Sequence, residues 1–247
     1  MNRSVLRSEL RVANEEIKNQ VNMRVWFISD THCEHSQLEI PDVDLVIHCG
    51  DESNSGTVWV NERESRNFFD WFSGLEIVSK IFVPGNHSTA FEKGMIRASD
   101  YPEIKFLVHE ETEWMGLKIF GSPFTPQFFN WAYMKLRPEL EPLWQMIPYN
   151  TDILITHGPP KGILDVTRDF NSGVPIHVGS KSLRRHVENR IKPMIHAFGH
   201  IHDEQGISNF GKLIRQSTQY INCSVCDTGG DFKNQGLVID ISVDRSE

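Results

Sequence analysis

Asp, Asn and His recur in this chain at one kind of place, directly after a short apolar run. "FISDTH" puts Asp30 and His32 after the first such run, and "IHCGD" puts Asp51 after the second. "FVPGNH" brings Asn86 and His87, "LITHGPP" brings His157, and "FGHIH" brings His200 and His202. Imidazole, carboxylate and amide oxygen all ligate borderline and hard divalent cations, and this set needs no thiolate. D-x-H and H-x-H each offer two ligands from extended backbone, where residues two apart face the same side. Asp30, His32, Asp51, Asn86, His157, His200 and His202 are too many for one tetrahedral zinc, but they suit two metals that share one carboxylate. A lone His at a strand end is more often a polar exit from the core, and single three-letter patterns arise by chance. The joint pattern, repeated on five run-offs, is what points to a metal centre. Gly50, Gly85 and Gly199 stand beside these residues and allow sharp turns and close backbone approach.

The elements that must position these groups are strands and helices in alternation. Apolar runs at 24–29, 43–49, 77–83, 104–108, 117–120, 152–156, 194–198, 220–224 and 236–243 read as strands. Residues 57–73, with Phe68, Phe69 and Trp71, predict a helix that stops near Gly74. Leu183, Val187 and Ile191 recur at i, i+4 and i+8 and predict a second helix over 180–191. The close spacing of the later strands favours a mixed sheet over a purely parallel one. No repeat, low-complexity tract or linker interrupts the alternation, so residues 23–247 read as one α/β domain. In such sheets, sites gather outside the carboxyl ends of the strands. Residues 1–22 read as a separate amphipathic extension with helical spacing, able to pack on the domain, to mediate homo-oligomerisation or to stay mobile.

Composition narrows the partners. The 247 residues carry 33 acidic and 25 basic side chains, a net charge of −8, which argues against a nucleic-acid or anionic-membrane binder. There is no apolar run long enough for a membrane span, and the polar N-terminus lacks the apolar stretch of a secretory signal. A cytoplasmic protein is therefore expected, with Cys33, Cys49, Cys223 and Cys226 reduced. "CSVC" at 223–226 has no second C-x-x-C to complete a zinc site, so these thiols read as structural or incidental.

The remaining histidines lack the run-off pattern. His48 and His196 lie inside apolar runs and read as hydrogen-bonded core residues. His35, His109, His177 and His186 read as surface or structural, with His35 and His177 also candidates for substrate contact. The segment 124–133 is rich in aromatics. Phe124, Phe128 and Trp131 are candidate substrate-binding residues, alongside Phe129 and Tyr133, because such rings can stack a nucleobase. Core packing or a contact between copies would explain them equally well.

The set "DTH", "GD", "GNHS", "THG" and "GHIH" resembles the calcineurin-like metallophosphoesterase superfamily, whose pattern is D-x-H, G-D, G-N-H-[DE], H and G-H-x-H. The motifs span residues 30 to 202. "SDTH", "HCGD", "GSPFTPQFFNWAY" and "THGPPKGILD" further resemble the metallophosphoesterase-domain-containing proteins and the class III cyclic-nucleotide phosphodiesterases. The resemblance implies a four-layer α/β/β/α sandwich of two mixed β-sheets flanked by helices. It implies that Asp30, His32 and His202 hold one metal, that Asn86, His157 and His200 hold the other, and that Asp51 bridges them. His87 would sit over the substrate phosphate. The implied cofactor is two divalent metal ions, Mn²⁺ first, with Fe, Zn²⁺ or Mg²⁺ as alternatives.

The implied enzyme hydrolyses phosphodiester bonds of a small substrate, with cyclic nucleotides as candidates, by attack of a metal-bridging hydroxide. Its catalytic residues would be His87 and Asp51. A phosphomonoesterase or nuclease of the same superfamily is the alternative. A non-catalytic interaction scaffold would be expected to lose ligands, and here the full set is present. One position departs from the pattern: Ser88 stands where Asp or Glu usually follows the G-N-H.

Overall fold

The apolar runs become the strands of two sheets in the computed structural model, which describes residues 20–244. The first sheet holds β1 (Gln20–Ile28), β2 (Leu45–His48), β3 (Ser79–Phe82), β4 (Lys105–Phe106) and β15 (Leu237–Asp244), in the order β15-β1-β2-β3-β4. β1 to β4 run parallel, and β15 closes the edge antiparallel to β1 with Ile239 opposite Val25. The second sheet holds β5 (Glu110–Trp114), β6 (Leu117–Ser122), β9 (Ile153–Thr156), β12 (Ile195–Phe198), β13 (Gly211–Arg215) and β14 (Thr218–Asn222), in the order β13-β14-β12-β9-β6-β5. Its four inner strands are parallel and its two outer ones antiparallel. Two short ladders complete the set: β7 (Thr125–Pro126) beside β8 (Met134–Lys135), and β10 (Val166–Arg168) beside β11 (Pro175–His177).

Side-chain alternation along the strands sorts the core into layers. Val25 and Phe27 of β1 point between the sheets, where Leu45 and Ile47 join them against Ile119, Ile153, Ile155, Ala197 and Ile221. Trp26 and Ile28 point outward, under α1 (Val58–Ser73) and α2 (Thr89–Glu92). Leu154 and Phe198 point to the other outer face, under α3 (Arg137–Met146) and α4 (Lys181–His186). The result is the expected α/β/β/α sandwich of two mixed sheets.

α1 shows how the sequence serves both core and site. Asn61, Ser65, Phe68, Phe69 and Phe72 are its buried residues, a helical stripe whose first members are polar and whose last are aromatic. Phe68 stacks on Phe72 at 5.3 Å between centroids and tilts against Phe82 at 5.9 Å. Phe68→Ala should therefore leave a cavity costing about 3–5 kcal/mol, read as a lower urea midpoint at unchanged slope. A loss below ~1 kcal/mol would show that the aromatic cluster is not what seats the helix.

The helix expected over 180–191 is in fact two pieces. α4 ends at His186, and Val187–Ile191 continues as a π-helical turn that stops at Lys192 in left-handed backbone (φ 52°). The apolar spacing that predicted one helix is kept, because Leu183, Val187 and Ile191 still share the core. The amphipathic extension expected over 1–22 lies, through residue 19, outside the described residues. Gln20, Val21 and Asn22 belong to β1. Among the described residues, no helix is long and apolar enough to cross a membrane.

Candidate metal centre

Three strands of each sheet end at one place. β1 delivers Asp30 and His32, β2 delivers Asp51, and β3 delivers Asn86 and His87. β9 delivers His157, β12 delivers His200 and His202, and β14 delivers Ser224. Backbone hydrogen bonds fasten these ends together. Asp30 N–H donates to Gly50 O at 2.8 Å, His32 N–H to Asp51 O at 3.2 Å, and Gly199 N–H to His157 O at 3.0 Å. The turns are tight enough to force Asp30, His32, Asp51 and His200 into left-handed backbone, with φ of 53°, 41°, 61° and 68°. Non-glycine residues adopt that region rarely and at a cost, and such strain clusters at functional sites.

The side chains form two groups. Ligand-capable atoms of Asp30, His32 and His202 lie within 4.8 Å of one another, as do those of Asp51, His157 and His200. In the first group, His202 Nε2 is 3.0 Å from Asp30 Oδ1. In the second, His157 Nε2 is 3.2 Å from Asp51 Oδ2 and 2.9 Å from Asn86 Oδ1, so Asn86 belongs with that group. The rings of His32 and His202 meet at 5.1 Å, and those of His157 and His200 at 4.9 Å.

The opposite ring nitrogens are held by main-chain carbonyls. His32 Nδ1 lies 3.0 Å from Ser53 O, His157 Nδ1 2.9 Å from Cys49 O, and His202 Nδ1 3.1 Å from Asp227 O. A carbonyl only accepts, so each Nδ1 carries a proton and each ring turns its Nε2 toward the site. That is the arrangement of metal-binding histidines, whose far nitrogen is fixed by a carbonyl or carboxylate. Glycines provide the room. A Cβ at Gly85 would overlap Asp51 Oδ1 and sit 2.7 Å from His157 Cε1, and a Cβ at Gly199 would overlap the Asp30 carboxylate.

Two carboxylates, Asp30 and Asp51, are buried here, and their ion pairs among the described residues are with histidines alone. Burial opposes the charge of Asp30, but His202 outweighs it and holds the carboxyl well below its usual range. Burial likewise opposes Asp51, and His157 with His87 lowers it. Desolvation takes His32 to about 4, with Asp51 opposing, and takes His200 to about 3. At His157 desolvation is overcome by the Asp51 carboxylate beside it, and the ring rises to about 9. The charge of Asp51 thus acts on histidines of both groups. Buried acids with converging imidazole and amide donors form a set that suits divalent cations, which would take the place of the protons now shared between each acid and its histidine.

Residues 23–204 match the calcineurin-like phosphoesterase family. The chain belongs to that family. Human metallophosphoesterase domain-containing protein 1 is 31% identical over 245 residues, covering 89% of this chain and 71% of that protein. A UPF0046 protein of Caenorhabditis elegans is 32% identical over 243 residues, covering 88% and 80%. Among solved structures, TT1561 of Thermus thermophilus superposes with a TM-score of 0.56 at 14% identity over 83% of this chain and 90% of that one. The phosphopantetheinyl hydrolase of Mycobacterium tuberculosis superposes at 0.50 and 14% identity over the same shares. Membership of the calcineurin-like phosphoesterases makes this chain a phosphoester hydrolase, and the likeness to the solved structures is one of fold.

Within this phosphoesterase, the other expected site residues separate. Trp131 lies against His87 at 4.3 Å and 32°, on a loop tied to the site by Ala132 N–H donating to Asn86 O at 3.1 Å. Phe128 and Phe129 pack on each other at the surface, 57% and 69% exposed. Phe124 instead joins the outer core of the second sheet, beside His109 and Tyr133. Its position on a strand-to-ladder turn aims it under the sheet, which the loop's composition does not reveal. His48 is a buried residue bonded to Thr31 Oγ1 and to Gly50 N–H, and His196 is bonded to Thr156 Oγ1. His35 packs on Phe68 and Trp71, and His177 pairs with Asp165 at 2.6 Å.

Several contacts at the site have no counterpart in the sequence reading. Ser224 Oγ donates to Asp30 Oδ2 at 2.8 Å, from the middle of the "CSVC" segment. Asn61 Nδ2 donates to His87 O at 2.6 Å, from a helix face otherwise read as core. At the turn where the resemblance leads one to expect an acid, Ser88 Oγ donates to Glu52 Oε2 at 2.6 Å, so a carboxylate reaches it from residue 52.

Proposed function

We propose that the chain hydrolyses phosphodiester bonds of a small substrate, with a cyclic nucleotide as the first candidate, and that it does so with a pair of divalent cations, Mn²⁺ foremost. The observations that carry this reading are the two adjoining donor groups, with Asp51 in one and its charge acting on His32 of the other, and His87 held by Asp51 beside them. Asp30, His32 and His202 would hold one cation, and Asn86, His157 and His200 the other, with Asp51 common to both. A cation pair bound there supplies charge neutralisation for the phosphoryl oxygens and makes a water acidic enough to attack at neutral pH.

The chain's own residues do the rest. Asp51 Oδ1 accepts the His87 N–H at 2.6 Å, which fixes that residue's backbone against the centre. The His87 ring is held by Asn54 O, 2.9 Å from Nδ1, and edge-on by His32 at 4.9 Å. That leaves Nε2 as the ring atom able to pass a proton to a leaving alkoxide. Trp131 covers the other side of the ring and offers a face to the leaving group, a base included.

His87→Ala should leave metal content unchanged and lower kcat by about 10²–10⁴-fold on alkyl esters, with a much smaller loss on nitrophenyl esters, whose leaving group needs no proton. Equal losses on both would remove the proton-donor role. The reading as a whole is tested by a hydrolysis screen over cyclic nucleotides, synthetic diesters and monoesters, with Mn²⁺ and then with chelator. Chelator-sensitive turnover of diesters is the expected result. Turnover of monoesters alone, or none at all by metal-loaded protein, would overturn it.

A further inference from the structure

Glu52 is a fully buried carboxyl group that the chemistry above does not use. It follows Asp51 directly, yet it faces away from the metal centre into the junction with α1. Its Oε1 accepts from Ser65 Oγ of α1 at 2.6 Å, and its Oε2 accepts from Ser88 Oγ at 2.6 Å. Among the described residues its side-chain partners are these two hydroxyls and no cation. Burial pushes this carboxyl above its usual range, against the two hydroxyl hydrogen bonds that favour its ionised form, and an apolar side chain would fill the same junction without that cost.

What a group accepting at both of its oxygens adds is direction. The Ser88 proton is committed to Glu52, so the Ser88 oxygen is left to accept, and it accepts the Gly85 N–H at 2.9 Å. With its proton given to Glu52 and its oxygen taken by the Gly85 N–H, the hydroxyl is held in one orientation. Gly85 and Ser88 bracket Asn86 and His87. The same turn is held from its other side by Asp51 Oδ1 on His87 N–H, and from α1 by Asn61 on His87 O. Two adjacent carboxylates therefore grip one four-residue turn. Asp51 does so at the metal centre, and Glu52 does so through a relay of one hydroxyl.

We propose that Glu52 is a positioning residue for the reaction, acting through Ser88 to set the Gly85–Ser88 turn and with it the reach of His87 toward the leaving group. The inference rests on the reading of His87 as proton donor. It is tested with Glu52→Gln, Ser88→Ala, the double variant Glu52→Ala/Ser88→Glu, and His87→Ala. Each is assayed for kcat and KM on an alkyl and a nitrophenyl phosphodiester, for metal content and for thermal midpoint.

The two single variants should lower kcat on the alkyl ester by about 10–10²-fold, with little change in KM or metal content and a clearly smaller loss on the nitrophenyl ester. The double variant returns a carboxylate to the same pocket from the opposite side and should recover most of the alkyl-ester rate relative to Glu52→Ala. Unchanged alkyl-ester kcat in both single variants would overturn the proposal. So would equal losses on both esters that track the thermal midpoint, since the contact would then only hold the fold. If Glu52→Gln does not fold, Ser88→Ala decides, because it removes a single oxygen and no charge. If His87→Ala shows no dependence on the leaving group, the proton-donor reading falls and this inference falls with it. If His87→Ala shows that dependence and Ser88→Ala does not, only the role of Glu52 is refuted.

Discussion

Asp51→Ala should abolish turnover, with a loss of at least ~10³-fold, the scale set by removing one preorganised charge from a phosphoryl-transfer site. The side chain does three things at once. It lies 3.2 Å from His157 Nε2, it receives the His87 N–H at 2.6 Å, and its charge reaches His32 in the opposite group. Metal content should fall with activity if Asp51 is the ligand common to both cations, as proposed. Alanine also tolerates poorly the left-handed backbone at this position (φ 61°). Asp51→Asn separates the two effects, since asparagine accepts that conformation and keeps the shape while losing the charge. An Asp51→Asn variant that kept both metals and a tenth of the wild-type rate would show that Asp51 is not the common ligand.

Gly199→Ala is expected to be the next most damaging change, although it removes no functional group. The added methyl would overlap the Asp30 carboxylate and sit 2.6 Å from Ser29 Cβ. Asp30 is also held by Ser224 Oγ and by the His200 N–H, so it has little room to retreat. Displacement by about 1 Å at a reacting centre typically costs on the order of 10²-fold in rate. The crowding should also lower stability by about 1–3 kcal/mol, read in a denaturant titration. Wild-type kinetics in this variant would mean that the Asp30 group can shift without consequence, and that the close backbone approach is incidental.

The candidate site was legible in the sequence for a physical reason. Asp30, His32, Asp51, Asn86, His157, His200 and His202 each follow an apolar strand directly, and a strand's end fixes where the next few side chains can go. What was not legible has no side-chain signature or a misleading one. The carbonyls of Cys49, Ser53 and Asp227 fix three histidine tautomers, but any residue type carries a carbonyl. Ser224 was masked by its flanking cysteines, and Glu52 by the more conspicuous Asp51 before it. The break at His186 was hidden because a π-helical turn keeps the same residues on the core face. Of the aromatic segment, Trp131 and Phe124 looked alike in sequence, and only the fold distinguishes the ring beside His87 from the ring beneath the second sheet.

The left-handed backbone at Asp30, His32, Asp51 and His200 has a consequence for how this protein could be improved or degraded by selection. Each such residue holds some backbone strain, of the order of 1 kcal/mol at most for Asp and His, that glycine would release. Laboratory evolution for heat resistance alone, blind to catalysis, should accumulate changes at these four positions early. Sturdiness and chemistry pull this chain in opposite directions at the same few residues.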